Sequence, residues 1–207
     1  MTYTRRNAFK TIAAGSAMLL ANTRAVFAQD APEIIEMTLG ADDAPITIIE
    51  YASFTCPHCA NFHTNVFKDL KADYIDTGKV KFIYREVYFD RFGLWAGMLA
   101  RCGGEDKYFG FVDLLYNRQR EWLAGGAEPA TIIANMKKLG RIAGQTDEAM
   151  DACMEDQETA QALVEEFQKN ATADEINATP TFMIDGEQFS NMAYSKFQEI
   201  LDEKLGS

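Results

Sequence analysis

Cys56-Pro57-His58-Cys59 puts two thiols on one short turn, with only Pro57 and His58 between them. Such a dithiol closes into a small disulfide and can exchange it with another chain, a reaction whose attacking species is the thiolate. The run Ile46-Thr47-Ile48-Ile49-Glu50-Tyr51 before the motif is apolar and β-branched, and reads as a buried strand. After it Phe62, Val66, Phe67, Leu70 and Tyr74 recur at helical spacing, so a helix is expected from Ala60 to about Ile75. The motif then falls on a strand-to-helix turn, with Cys56 at the helix N-terminus. Unpaired N–H groups and the helix dipole favour an anion there. Pro57 suits the first turn, where a missing N–H costs least. His58 can add a hydrogen bond or a positive charge. Cys59, one turn further in, is expected to be more buried and to act as the resolving thiol. Holding the thiolate stabilises the reduced form, which makes the disulfide the better oxidant.

The other two cysteines read differently. Cys102 and Cys153 lie far apart and outside any activating motif, so a structural disulfide is expected between them, with a second redox centre left open. His63, four residues after Cys59, raises the question of zinc. The CxxC is single, however, and closed zinc sites draw four ligands from separated loops, so no metal is expected.

Compartment and charge frame this chemistry. Residues 1–28 read as an export signal: a basic stretch from Thr4 to Lys10, a modestly apolar stretch from Thr11 to Ala21, and the cleavage site Val26-Phe27-Ala28. Arg5-Arg6 with Phe9 and Lys10 resemble a twin-arginine signal. Ala8-Phe9 departs from the usual Phe-Leu pair, and the general secretory route stays open. The formal net charge of −11 falls to about −15 once Arg5, Arg6, Lys10 and Arg24 are removed with that segment. So acidic a surface disfavours nucleic acid and anionic membranes. At 47% hydrophobic, the 207-residue chain can bury a substantial core.

The remaining elements must position the dithiol. Ile34-Ile35-Glu36-Met37 reads as an edge strand, and Val80 to Val87 as a second strand completing a parallel βαβ unit. Residues 91–172 turn helical, around Leu94–Cys102, Tyr108–Leu115, Ile132–Leu139 and two shorter segments. Thr181 to Ile184, the turn Asp185-Gly186 and Glu187 to Phe189 form a hairpin, and Tyr194 to Leu205 a last helix. Strands and helices segregated in this way point to an α/β fold with a central sheet flanked by helices. Phe54 and Trp95 read as core residues or as walls of a groove beside the dithiol.

The segment Glu50-Tyr51-Ala52-Ser53-Phe54-Thr55-Cys56-Pro57-His58-Cys59 resembles the active-site segment of the DsbA family of periplasmic thiol oxidases, and Ala178-Thr179-Pro180-Thr181-Phe182 resembles that family's cis-proline loop. The resemblance implies a thioredoxin-like fold over 29–90 and 173–207, with a helical domain inserted at 91–172. Cys56 would be the attacking thiol, Cys59 would resolve it, and His58 would steady the Cys56 thiolate. Pro180 would be cis, with Thr179 pairing through its backbone to a substrate peptide. Glu50 matches a buried acid that helps move protons, against the plainer reading of a surface carboxylate at a strand edge. The family's partner lysine for that acid has no clear match; Tyr84 and Arg85 lie near the right depth. The resemblance further implies a monomer without a cofactor, its reduced exported polypeptide substrates, and a DsbB-like membrane quinone reductase as reoxidant. An isomerase or reductase using the same dithiol, or a thiol-containing binding protein or chaperone, are the alternatives. The shortness of the chain, with no stretch for a dimerisation domain, speaks against an isomerase.

Overall fold

The computed structural model describes residues 32–206; the export signal expected at 1–28 lies outside them. The described strands form one five-stranded mixed sheet of order β1-β3-β2-β4-β5. At its centre β2 (Ile46–Ala52) runs parallel to β3 (Val80–Glu86), with Glu50 beside Tyr84 and Ala52 beside Glu86. On one side β1 (Met37–Leu39) is antiparallel to β3, and on the other β4 (Thr181–Ile184) is antiparallel to β2. The edge strand β5 (Glu187–Ser190) completes the expected hairpin.

Two expectations need correction. The first strand begins only at Met37. Upstream, the Ile35 carbonyl accepts from Arg101 and the Glu36 carboxylate accepts from Arg85, so side chains occupy this stretch where a strand partner was expected. The helix after the motif is also broken: α1 (Pro57–Asn65) stops at Val66, whose φ of −123° leaves the helical range. The short α2 (Phe67–Leu70) and one π turn over Lys71–Ile75 then lead into β3.

Between β3 and β4 lie α3 (Arg91–Cys102), α4 (Glu105–Asn117), α5 (Gln119–Trp122), α6 (Pro129–Ile142), α7 (Asp147–Glu155) and α8 (Gln157–Ala173). The closing helix α9 (Tyr194–Leu205) packs on the sheet through Phe197, whose ring meets Phe182 of β4 at 5.0 Å and Phe62 of α1 at 5.7 Å. Phe54, after β2, is buried between Tyr84 and Tyr116, at 5.6 and 5.5 Å. It belongs to the core and lines no groove. The active-site turn is thus anchored to the sheet on one side and to α4 on the other.

Candidate active site

The turn itself is built by backbone. Cys56 caps α1 in extended conformation, with Pro57 in the first turn and its own N–H donated to the Ser53 carbonyl at 3.0 Å. Its carbonyl accepts from the Ala60 N–H at 3.2 Å, which opens the helix ladder. Gln119, from α5, donates through its buried amide to the Phe54 and Cys56 carbonyls at 2.8 and 2.9 Å. One side chain thereby ties both arms of the turn to the helical segment.

The two thiols occupy opposite environments. Cys56 is partly exposed, and its Sγ–H donates to the Thr179 carbonyl at 3.4 Å. As thiolate it is held first by the Cys59 thiol and then by the Thr179 side chain and the backbone N–H groups of Cys59 and His58; against partial burial, these lower its pKa to about 5. Cys59 is fully buried, and that burial pushes its thiol up, helped by the hydrogen bond to Cys56 and the charge of Glu50. One sulfur is therefore an accessible nucleophile and the other a thiol that resists ionisation. His58 is exposed, and what it supplies to the thiolate is its backbone N–H. The Thr179–Pro180 bond is cis, and Pro180 is buried directly before β4.

Glu50 is 0% exposed, which excludes the surface reading. Its Oε2 lies 2.9 Å from Nε2 of His63, itself 4% exposed, so the carboxylate is partnered by a residue that sequence reasoning considered only for zinc. Arg85 points to the other face of the sheet, toward Tyr51, Glu36 and Asp174. Tyr84 does lie beside Glu50, but its hydroxyl pairs with that of Tyr116 at 2.5 Å, and burial pushes both phenols up. Among the described residues, no three His, Cys, Asp or Glu side chains are grouped to hold a metal ion. Cys102 and Cys153 are joined in a disulfide between α3 and α7. Two contributors were missed by sequence reasoning, His63 and Gln119. Only His63 carried a signal, its i+4 spacing from Cys59 on one helix face.

A CxxC turn that caps a helix and faces a cis-proline loop across a mixed sheet defines a thioredoxin-fold dithiol protein. The family model described as thioredoxin matches residues 33–203, and the chain belongs to that family. Its curated relatives are named for disulfide oxidoreduction or disulfide bond formation, and several solved neighbours are named DsbA. A Rickettsia bellii protein named provisionally as a protein-disulfide oxidoreductase is 30% identical over 171 residues, covering 82% of this chain and 64% of its own. This chain therefore spans just under two thirds of that relative. Disulfide bond formation protein D of Bacillus subtilis is 26% identical over 182 residues, covering 81% of this chain and 76% of its own. The crystal structure of alpha-DsbA1 from Wolbachia pipientis superposes with a TM-score of 0.77 at 29% identity, covering 84% of this chain and 93% of that one.

Proposed function

We propose that this protein is a thiol:disulfide oxidoreductase that donates its Cys56–Cys59 disulfide to exported polypeptides in the periplasm. The observation that carries the reading is the division of labour between the two sulfurs: an accessible Cys56 lowered to about 5, and a buried Cys59 pushed up. A substrate thiolate attacks Cys56 Sγ, the Cys56–Cys59 bond breaks, and Cys59 leaves with the electron pair. The second substrate thiol then attacks the mixed disulfide and releases Cys56 as a stable thiolate. The substrate loses two electrons and gains a disulfide, and the enzyme is left reduced. Thr179 and Pro180 form the docking edge for the extended substrate, and His58 steadies the Cys56 thiolate through its backbone N–H.

In the same reading, residues 1–28 direct export by the twin-arginine or general route, 29–90 with 173–207 form the catalytic domain, and 91–172 its helical insert. The protein works as a monomer without a cofactor, and a DsbB-like quinone reductase restores its disulfide. No described helix is long and apolar enough to cross a membrane. Cys59→Ser tests the exchange chemistry. In the presence of exported proteins that carry a disulfide, its Cys56 thiolate should attack one sulfur, displace the other as a thiolate and accumulate as a mixed disulfide. A variant that traps nothing would leave a binding protein whose CxxC is only structural. Equilibration with glutathione distinguishes donor from reductant: a disulfide reduced by modest glutathione marks a donor, and one that resists reduction marks a reductase.

A further inference from the structure

The Thr179–Pro180 edge is one surface that meets the reactive turn. A second meets it from the helical segment: an open cleft of about 490 Å³ between α1 and the junction of α4 with α5. Its lining starts at Pro57, the residue after the nucleophile, and follows α1 to Asn65. From the helical rise per residue that wall is about 12 Å long, room for about four residues of extended chain. Gln119, which also lines the cleft, donates to the Cys56 carbonyl at 2.9 Å. The cleft is therefore continuous with the turn that carries the reacting sulfur.

Its charge runs against that of the protein. The chain has a formal net charge of −11, whereas the charged residues lining the cleft are Arg118, Arg120 and Glu121. Glu121 meets Arg118 in an exposed pair at 3.4 Å, a loose contact that a better-placed carboxylate can replace. The side chains of Arg120, Asn61 and Asn65 have no hydrogen-bond or ion-pair partner among the described residues. Guanidinium and amide N–H groups lining one cleft are donors suited to carboxylate oxygens.

We propose that this cleft is a second substrate subsite, holding an acidic stretch of the client polypeptide about two to five residues from the cysteine that reacts. The proposal rests on the exchange reading above. The client cysteine sits over Cys56, and the chain beside it enters the cleft at Pro57 and runs along α1. Thr179 pairs with backbone and takes any sequence, whereas Arg118 and Arg120 select side chains. A protein this acidic repels an acidic client at a distance, and the two arginines offset that repulsion where the client must settle.

The test uses three reduced dithiol peptides, identical except that the residues on both sides of the reacting cysteine are aspartates, glutamines or lysines. The second-order rate of oxidation by the oxidised protein is divided by the rate of the same peptide with a small neutral disulfide, which removes the effect of flanking charge on the thiol itself. At low salt the aspartate peptide should react about tenfold faster than the glutamine peptide, as two exposed ion pairs can supply. High salt should erase the difference. In the double variant Arg118→Gln/Arg120→Gln the ratio should fall to about one, and in Arg118→Glu/Arg120→Glu the lysine peptide should become the fastest. A wild type that shows no preference, or prefers lysine, would overturn the subsite and leave exchange intact. So would an aspartate preference that survives in both variants. A dimer in sedimentation that the arginine substitutions disperse would give the cleft to a second copy and overturn the proposal. A wild type that oxidises no peptide would overturn the exchange reading and the subsite with it.

Discussion

Two carboxylates are buried on the central strands of this sheet, and they are treated in opposite ways. Glu86 of β3 receives Nε and Nη2 of Arg101 at 2.7 Å each and the Tyr108 hydroxyl at 2.7 Å. Arg101 spends its remaining reach on the Ile35 carbonyl at 2.8 Å. Glu50 of β2 has one hydrogen-bonded partner, His63, and one oxygen with no hydrogen bond among the described residues. A fully paired buried charge holds parts of a fold together, whereas a half-paired one leaves an acceptor unsatisfied and contributes less to that hold. Glu86 joins sheet, α3, α4 and the entering N-terminal segment. Glu50 joins only the strand before the motif and the helix after it.

The largest expected effect separates the two directly. Arg101→Ala leaves Glu86 enclosed without its cation, and breaking a buried pair in this way costs about 3–5 kcal/mol. A urea unfolding midpoint should fall accordingly. Glu50→Gln keeps the bond to His63 and removes a charge that is incompletely paired, so its stability should stay within about 1 kcal/mol of the parent. Equal losses in the two variants would mean that Glu50 is as structural as Glu86, and the contrast between them would be gone.

A second effect concerns the charge that the site is built to hold. The folded reduced protein keeps Cys56 ionised down to about pH 5, whereas an unfolded thiol is protonated below about 8.5. A depressed thiol contributes stability that is full above the unfolded range and is lost as pH falls through about 5. Between pH 4 and 7.5 the raised Cys59 is protonated in both folded and unfolded states, so Cys56 dominates the window. The reduced protein should therefore resist urea better than the oxidised protein at pH 7, by about 1–2 kcal/mol after allowance for the partial exposure of Cys56. The advantage should vanish by pH 4. A difference that does not change with pH would show that the thiolate is not what favours the reduced form.

What could be read beforehand follows the distance over which each feature is specified. The strand-to-helix turn is local: Ile46–Tyr51, Pro57 and the periodic Phe62–Tyr74 announce it within thirty residues. A central sheet flanked by helices was legible from β-branched runs and 3.6-residue periodicity, whereas its thioredoxin-like character came from the resemblance of the Cys56 and Pro180 segments to the DsbA family. The break at Val66 was not, since Val66 falls on the apolar stripe and continues the pattern that the backbone interrupts. Ile34-Ile35 misled for a related reason, because an apolar pair says nothing about whether Arg101 will take its carbonyl. The partner of Glu50 depended on which helix face would lie against β2. Sequence places His63 on the face of Cys59 but cannot show what that face meets.

Gln119 offers the smallest effect and a neutral counterpart to both carboxylates. Like Arg101 it reaches from the helical segment to the sheet, and like Glu50 it serves the reactive turn. Gln119→Ala removes the amide from the Phe54 and Cys56 carbonyls, but Cys56 keeps the bond from Ala60 and its own N–H bond to Ser53. The loss in stability should therefore be modest, about 1 kcal/mol. The more telling readout is Cys56 itself. The N–H groups of His58 and Cys59 point at the sulfur only while the first turn of α1 is held, so a loosened turn should weaken the hold on the thiolate. Its titration, followed by absorbance near 240 nm, should move upward from about 5. An unmoved titration would mean that the Ser53–Cys56 bond fixes the turn by itself and that the helical segment contributes packing but no control over the thiol.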